Sequence, residues 1–274
     1  MTASMRTKVA VLQMTSTDDV RANLETVVRL TTQAAADGAR LVVVPECFAY
    51  LGPEEGKLAV AEPLPQGGAI LAGCAELARR ARVELVLGGF WETGDEPDKV
   101  KNACVHLAED GRVKAVYRKI HLFDVDLPDG TALEESKTVE AGGEPVVSET
   151  AFGKLGLSVC YDVRFPELYR KLVDRGAIAM AVPAAFTLTT GKDHWHVLLR
   201  ARAIESQSYV LAAAQAGHHF GRRSSYGHAL IADPWGVVIA ECGEGPGFAA
   251  AYIDPEVVTR VRRSLPSLAH RRIW

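Results

Sequence analysis

Short apolar segments without polar alternation recur along this chain, and helical segments separate the first of them. Residues 8–14 (KVAVLQM), 40–45 (RLVVVP) and 83–90 (VELVLGGF) each have the composition of a strand that is buried on both faces. Residues 18–39 and 68–82, which lie between them, repeat apolar side chains at helical spacing. Buried strands that alternate with helices favour an α/β fold, in which helices cover the faces of the sheet.

Later segments indicate that the sheets are mixed. Residues 101–120 contain two apolar runs around Asp110-Gly111, which is a strong signal for a hairpin of antiparallel strands. Further strands are predicted at 154–159, 177–183, 209–215 and within 226–253, and further helices from Pro166 and over 193–207. Roughly ten strands and no evident linker predict a single domain over residues 1–274, with two mixed β-sheets packed together and helices outside.

Charge and cysteine content exclude several classes of protein. The formal net charge of −3 and the pI near 6.3 give no reason to expect a nucleic-acid partner. No apolar run approaches the length of a membrane span, and the first residues lack the apolar core of a signal peptide. The five cysteines are widely spaced and form no CxxC pair. These features predict a reduced, cytoplasmic protein without a nucleic-acid or membrane partner.

Three polar side chains of complementary chemistry follow three separate predicted strands. They are Glu46, Lys119 and Cys160. Because ligands gather at the carboxyl ends of strands in open α/β sheets, the three are candidates for one site. A cysteine can attack an acyl carbon, a glutamate can accept the thiol proton, and a lysine can lower the thiol pKa and stabilise the oxyanion. Each residue alone has an ordinary structural explanation, and their combination favours catalysis.

The sequence around these residues resembles the nitrilase superfamily of carbon–nitrogen hydrolases. The resemblance rests on VVVPECF (42–48), YRKIHLFD (117–124) and SVCYDVRFPEL (158–168), in this order. It implies that Glu46, Lys119 and Cys160 form the catalytic set. It also implies an αββα four-layer sandwich, usually assembled as a homodimer or a larger homo-oligomer, and no metal or organic cofactor.

A fourth catalytic residue is implied by the same resemblance. Many members have another glutamate between the lysine and the cysteine, and LEESKT (133–138) places Glu135 in that role. Its neighbour Glu134 is the alternative. This residue would orient Lys119 or the substrate amide.

Two later blocks, residues 194–215 and 225–247, resemble the Nit branch of the superfamily. This implies an amidase that hydrolyses deaminated glutathione, the α-keto analogue of glutathione, to 2-oxoglutarate and cysteinylglycine through a cysteine thioester. An ω-amidase acting on 2-oxoglutaramate or 2-oxosuccinamate is the alternative, because that branch shares KIHLFD and ESKT with this chain. The alternative of another class is a catalytically silent binding or scaffold protein, and the complete catalytic set argues against it.

Six residues near these blocks are predicted to contact the small-molecule amide substrate. The backbone N–H of Tyr161 would bind the oxyanion together with Lys119. Arg164 would either bind a substrate carboxylate or fix its loop by pairing with a nearby acid. Phe186 follows another strand end and is expected to line the pocket. The remaining candidates are Tyr50, Thr187 and Tyr226.

Three further features leave a choice between a structural and a functional role. His194 and His196 form an HxH pair, but no third ligand is evident, so we expect His194 to cap the predicted helix rather than bind a metal. Arg222 and Arg223 form a basic loop that is either solvated or attracts the carboxylates of a tripeptide-like substrate. The basic tail, about residues 260–274, would lie at a subunit interface if the resemblance holds there.

Overall fold

The computed structural model describes residues 5–126 and 132–273, and it has the four-layer αββα architecture expected. The strands are β1 (Thr7–Met14), β2 (Leu41–Val44), β3 (Glu84–Thr93), β4 (Val100–Leu107), β5 (Val113–Arg118), β6 (Asp124–Asp126), β7 (Ala132–Glu134), β8 (Val139–Glu140), β9 (Val146–Thr150), β10 (Gly153–Leu157), β11 (Ala177–Ala181), β12 (Tyr209–Ala212), β13 (Ala214–Phe220), β14 (Arg223–Tyr226), β15 (Leu230–Ala232), β16 (Val238–Glu241) and β17 (Gly247–Ile253).

The helices begin and end where local signals allow. They are α1 (Val20–Ala36), α2 (Gly56–Val60), α3 (Ala69–Ala81), α4 (Pro166–Asp174), α5 (Leu188–Ser206) and α6 (Pro255–Ser264). Asp19 caps α1 by accepting a hydrogen bond from Ala22 N at 3.0 Å. Proline opens α4 and α6, where its missing N–H costs nothing. Within the described part of the chain, none of these helices combines the length and apolarity needed to cross a bilayer.

Two mixed sheets form the centre of the sandwich. In the described residues, the larger sheet has the order β14-β13-β1-β2-β3-β4-β5, with β17 paired to β1 and β8 to β4. The other sheet has the order β16-β15-β12-β11-β10-β9. Parallel pairs such as β1–β2 and β10–β11 adjoin antiparallel ones such as β3–β4 and β4–β5. The prediction of mixed sheets is therefore confirmed.

Side-chain alternation along β1 shows how the layers are built. Val9 and Val11 belong to the apolar core that the larger sheet shares with Leu155 and Leu157 of β10. The intervening side chain of Ala10, with those of Leu12 and Met14, belongs to a second core beneath α1 and α3. The helices α4 and α5 pack on the smaller sheet. Both faces of each central strand are buried, which explains why the sequence shows uninterrupted apolar runs.

The segment 209–215 departs from the prediction of one strand. It forms the whole of β12 in the smaller sheet and the beginning of β13 in the larger sheet, with Ala213 between them. The Ala213 carbonyl accepts a hydrogen bond from Ala184 N at 2.9 Å, so its backbone stays paired while the chain changes sheets. Alanines at 212–214 leave room for the backbone to pass between two packed layers. The composition of a buried strand thus masked a crossing point.

The helix predicted over 193–207 begins five residues earlier, at Leu188. His194 therefore lies inside α5, and the prediction that it caps the helix is wrong. The cause is packing: Gly191 lies against the Tyr226 side chain so closely that an added Cβ would approach Tyr226 Cβ to 2.3 Å. This tertiary contact outweighs the poor helix propensity of the Thr-Thr-Gly segment at 189–191.

Candidate active site

The ends of β2, β5 and β10 bring three predicted catalytic residues into one cluster. Glu46 lies two residues beyond β2, Lys119 directly after β5, and Cys160 three residues beyond β10. The Lys119 ammonium nitrogen lies 3.1 Å from Glu46 Oε1, and the Cys160 thiol lies close enough to Glu46 for each group to shift the pKa of the other. None of the three residues is more than 8% exposed. A carboxylate, an ammonium and a thiol therefore share one buried volume.

Glu135 completes this cluster, and Glu134 does not. The Lys119 ammonium nitrogen lies 2.8 Å from Glu135 Oε2 and 3.1 Å from Glu135 Oε1. The Phe123 N–H donates to Glu135 Oε2 at 2.7 Å and fixes the carboxylate. The Glu134 side chain is mostly exposed and pairs with Lys137. The three-dimensional arrangement thus resolves a choice that adjacency in sequence left open.

Asn102 is a site residue that sequence reasoning missed. Its side-chain N–H₂ donates to Glu46 Oε1 at 3.0 Å and to Glu135 Oε1 at 3.1 Å. Its backbone carbonyl accepts a hydrogen bond from the Lys119 backbone N–H at 2.9 Å. Asn102 therefore holds both carboxylates in register around the ammonium. The only signal in the sequence was a polar residue within the apolar run of β4.

The Glu46 turn is fixed from three sides. Glu46 Oε2 accepts from Ala185 N at 2.8 Å, and its backbone carbonyl accepts from Gln215 Nε2 at 3.0 Å. Gly89 of β3 lies against the turn in the left-handed region, with φ of +59°, and an added Cβ there would come within 2.2 Å of Cys47 N. Only glycine permits this approach. Glu46 is thus positioned by the Ala185 backbone at one carboxylate oxygen, by Asn102 and Lys119 at the other, and by Gln215 at its own backbone.

Cys160 opens a 3₁₀ turn, Cys160–Arg164, in a strained conformation. Its φ of +48° lies in the left-handed region, which is unfavourable for a residue with a side chain. Its N–H donates to the Pro183 carbonyl at 2.9 Å. The buried Asp162 carboxylate beneath the turn accepts hydrogen bonds from Val159 N at 2.8 Å, His121 N at 3.2 Å, His121 Nδ1 at 2.7 Å and the Tyr117 hydroxyl at 2.7 Å. Asp162 therefore ties the nucleophile turn to the segment that carries Lys119.

The charges of the cluster follow from its burial and pairing. Burial and the neighbouring Glu46 carboxylate raise the pKa of the Cys160 thiol well above 9.0, although Lys119 opposes this. Lys119 thus lowers the thiol pKa as expected, but burial and Glu46 outweigh this effect. Burial alone would raise the pKa of Glu46 and lower that of Lys119, but their mutual attraction and hydrogen bonds reverse both shifts. The resting site thus contains a thiol, a carboxylate and an ammonium.

A cavity of about 430 Å³ opens onto this cluster, a size typical of small-molecule sites. Of the predicted substrate-contacting residues, those that line it are Tyr50, Tyr161, Arg164, Phe186 and Thr187. Tyr226 is not part of this lining, and its ring stacks on His228 at 4.4 Å. Lining residues that the sequence did not indicate include Lys57, Trp91, Lys137, Thr190 and Phe220.

Two arginines of the cavity, Arg164 and Arg223, have no acidic partner among the residues that the structure describes. The other cavity cations are paired: Lys119 with Glu46 and Glu135, Lys57 with Glu54, and Lys137 with Glu134. No carboxylate of the described residues lies within 4.0 Å of the Arg164 or Arg223 guanidinium. Arg164 lies instead 5.1 Å above the Phe186 ring, with His194 Nδ1 at 3.3 Å. The structure thus gives no support to an acid that fixes Arg164.

The second histidine of the HxH pair belongs to another group. His196 Nε2 and His228 Nδ1 lie 2.8 and 2.9 Å from Glu241 Oε1. These three ligand atoms lie within 4.8 Å of one another, whereas His194 contacts Arg164. The two histidines of the HxH pair therefore have different partners. In the structure, hydrogen bonds to Glu241 satisfy both His196 and His228.

Comparison with known proteins agrees with this fold. Residues 8–263 match the model of the carbon-nitrogen hydrolase family. The chain belongs to this family. A protein of Synechocystis sp. named deaminated glutathione amidase is 49% identical, over 96% of this chain and 97% of its own length.

Two solved structures place this carbon–nitrogen hydrolase within the nitrilase superfamily. The NitFhit protein of Caenorhabditis elegans superposes with a TM-score of 0.92 and 40% identity, over 98% of this chain and 66% of that longer one. Saccharomyces cerevisiae Nit3, a member of branch 10 of the nitrilase superfamily, superposes with a TM-score of 0.86 and 32% identity, over 98% and 97% of the two chains. The protein is therefore an amidase of this superfamily, as the three sequence blocks had indicated.

Proposed function

We propose that this amidase hydrolyses deaminated glutathione, with Cys160 as nucleophile, Glu46 as general base and acid, and Lys119 as oxyanion stabiliser. The observation that carries the proposal is the buried contact of a thiol, a carboxylate and an ammonium at the wall of a cavity. The name of the Synechocystis relative supports the choice of substrate. The two cavity arginines without acidic partners also support it, because deaminated glutathione carries two carboxylates.

The first half of the reaction forms a thioester. Cys160 Sγ attacks the carbonyl carbon of the substrate amide, and Glu46 takes the thiol proton as the S–C bond forms. The carbonyl electrons move to oxygen, where Lys119 and the Tyr161 backbone N–H stabilise the negative charge. The C–N bond then breaks, and the nitrogen takes the proton from Glu46. Cysteinylglycine leaves, and the 2-oxoglutaryl group stays on Cys160.

The second half of the reaction hydrolyses the thioester. Glu46 accepts a proton from a water molecule while the water oxygen attacks the thioester carbon. Collapse of the tetrahedral intermediate breaks the C–S bond and releases 2-oxoglutarate. Glu46 returns its proton to the Cys160 sulfur, and the resting state is restored.

The resting charges suit this sequence of steps. With a neutral Cys160, the ions Glu46, Glu135 and Lys119 together carry one negative charge. On attack, the thiol proton neutralises Glu46 while a negative charge appears on the substrate oxygen, so the net charge of the cluster is unchanged. A buried site of low dielectric makes any change in net charge costly. Glu135 contributes by keeping Lys119 protonated throughout.

Arg164 is the proposed contact for the α-keto acid end of the substrate. Its guanidinium lies beside Tyr161, the residue that follows the nucleophile, at 5.8 Å from the ring centre. A planar guanidinium binds a carboxylate in bidentate fashion. Phe186 and Thr187 line the cavity next to it and are proposed to contact the aliphatic part of the substrate. Tyr50 lines the same cavity.

The test measures kcat/KM on deaminated glutathione and on 2-oxoglutaramate, following release of 2-oxoglutarate. We expect a clear preference for deaminated glutathione and loss of turnover in Cys160→Ala, with an unchanged melting temperature. Cys242→Ala is the matched control, because Cys242 is buried but lies outside the cavity lining. A preference for 2-oxoglutaramate would make the protein an ω-amidase. Full activity in Cys160→Ala would overturn the mechanism.

We also propose that the protein is cytoplasmic and forms a homodimer or a larger homo-oligomer. The five cysteines are all free, in keeping with a reducing compartment. The helix α5 exposes Leu188, Val197 and Ile204, with exposed fractions of 48, 66 and 48%, and such exposed apolar side chains suit an interface. Residues 260–273 of the tail are proposed to lie at that interface, whereas Trp274 lies outside the described residues. Light scattering after size exclusion tests the oligomeric state.

A further inference from the structure

Arg223 lies in the wall of the catalytic cavity, on the hairpin formed by β13 and β14. Its Nη2 donates a hydrogen bond to the Ala185 carbonyl at 2.7 Å. The N–H of the same Ala185 donates to Glu46 Oε2 at 2.8 Å. The guanidinium is therefore separated from the general base by a single residue of backbone.

The hairpin that carries Arg223 is attached firmly to the cavity wall. Tyr226 N donates to the Phe186 carbonyl at 3.0 Å, and Ser225 forms a β-bridge with Thr187. Phe220, which is opposite Arg223 in the hairpin register, also lines the cavity. Backbone hydrogen bonds thus fix the position of the Arg223 Cα. Such a position suits a binding residue, because little order is lost when a ligand arrives.

The bonding capacity of Arg223 is not used up within the described residues. Its Nη1 is buried and has no hydrogen-bond partner there. No described carboxylate lies within 4.0 Å of its guanidinium, although every lysine of the cavity has one. A buried unpaired donor is costly, and its retention beside a reactive cluster favours a role in binding. Its neighbour Arg222 is exposed and is not part of the cavity lining.

We infer that Arg223 binds the terminal carboxylate of the leaving group, and that it thereby selects amides of carboxylate-bearing peptides over primary amides. The inference rests on the proposed function. Glu46 must protonate the departing nitrogen, so the leaving group extends from the Glu46 side of the site. Arg223 lies on that side through Ala185, whereas Arg164 lies beside Tyr161. In cysteinylglycine the carboxylate is two residues of chain away from that nitrogen, about 7 Å when extended.

The test compares two substrates that share one acyl group. Deaminated glutathione and 2-oxoglutaramate both yield 2-oxoglutarate, but only the first has a leaving group that ends in a carboxylate. We expect Arg223→Met to lower the ratio of kcat/KM for deaminated glutathione to that for 2-oxoglutaramate by about 10- to 100-fold, the effect of losing a charge-assisted hydrogen bond. Arg222→Met removes the same charge next to it and should change the ratio less than twofold.

A substrate variant makes the test independent of protein folding. In the analogue of deaminated glutathione with a C-terminal carboxamide, the carboxylate is absent. For wild-type enzyme, kcat/KM should be about 10- to 100-fold lower on this analogue than on deaminated glutathione. For Arg223→Met, kcat/KM should differ little between the two substrates. Arg223→Lys keeps the charge and should recover part of the ratio.

The outcomes separate the inference from the proposed function. An equal loss on both substrates in Arg223→Met would mean that Arg223 only positions Ala185 and Glu46, and would overturn the inference. Equal turnover of the acid and the carboxamide by wild-type enzyme would overturn it as well. In both cases wild-type turnover of deaminated glutathione would leave the proposed function standing. Absence of that turnover would overturn both.

Discussion

Asp162→Asn is the substitution that most directly tests how the nucleophile turn is held. The Asp162 carboxylate is 0% exposed and accepts hydrogen bonds from four donors, two at each oxygen. Asparagine keeps the shape of the side chain but replaces one acceptor oxygen with an N–H₂ group. If that group faces Tyr117, the hydroxyl can rotate and accept, but the Val159 N–H then has no acceptor. The opposite orientation leaves the His121 N–H without one.

The expected cost follows from these bonds. One buried backbone donor left unpaired costs about 1–3 kcal/mol, and the two bonds to the remaining oxygen lose their charge assistance at about 1 kcal/mol each. The sum is about 4 kcal/mol, which corresponds to a fall in melting temperature of roughly 10 °C for a chain of this size. Because Val159 precedes Cys160, we also expect kcat to fall about 10- to 100-fold, with a smaller change in KM.

Thermal unfolding and steady-state kinetics measure these two effects. Asp174→Asn is the control, since Asp174 is an exposed partner of Arg271 and its ion pair should contribute no more than about 1 kcal/mol. A melting temperature within 2 °C of wild type, together with kcat within about threefold, would refute the reasoning. It would mean that the Asp162 network neither stabilises the fold nor positions the thiol.

Two further predictions concern the charges of the site. Glu135→Gln should lower kcat about 10- to 100-fold, because the buried Lys119 ammonium loses one of its two carboxylate partners. Glu134→Gln, at the exposed neighbouring residue, is the control. An equal loss of kcat in the two variants would contradict the prediction. The pH profile of kcat/KM should be flat from about pH 6 to 8.5. Glu46 must be ionised and its pKa is lowered from 4.5, so the acid limb should lie below 4.5. An acid limb centred near neutral pH would show that another group controls the reaction.

That Glu46, Lys119 and Cys160 come together was predictable because each follows a strand, whereas Glu135 was indicated only by the resemblance to the nitrilase superfamily. Glu46 and Cys160 each follow an apolar strand, and strand ends converge in an α/β fold whatever the length of chain between them. Asn102 could not be found in this way, because it lies within a strand and its role depends on two carboxylates distant in sequence. For the basic loop, the sequence could not tell Arg223 from Arg222, because only the β13–β14 hairpin decides which of them lines the cavity.

The fold was predictable to the level of layers but not of every boundary. Apolar composition identified the buried strands correctly. It could not show that the run at 209–215 changes sheets, because both halves are equally buried. The beginning of α5 depended on a contact between Gly191 and Tyr226 that is invisible in local propensity. Errors of both kinds arise where long-range packing decides a local conformation.

The pairing of β1 has a consequence for how the chain is made. One edge of β1 pairs with β2, which is synthesised soon after it, but Thr7 to Gln13 on the other edge pair with residues 253 to 247 of β17. At translation rates of about 5–20 residues per second, that edge stays open for roughly 10–50 s on the ribosome. An unpaired apolar strand edge invites association with other chains. The nascent enzyme therefore passes through a period in which nearly all of its active-site segments exist while its central sheet still lacks a strand.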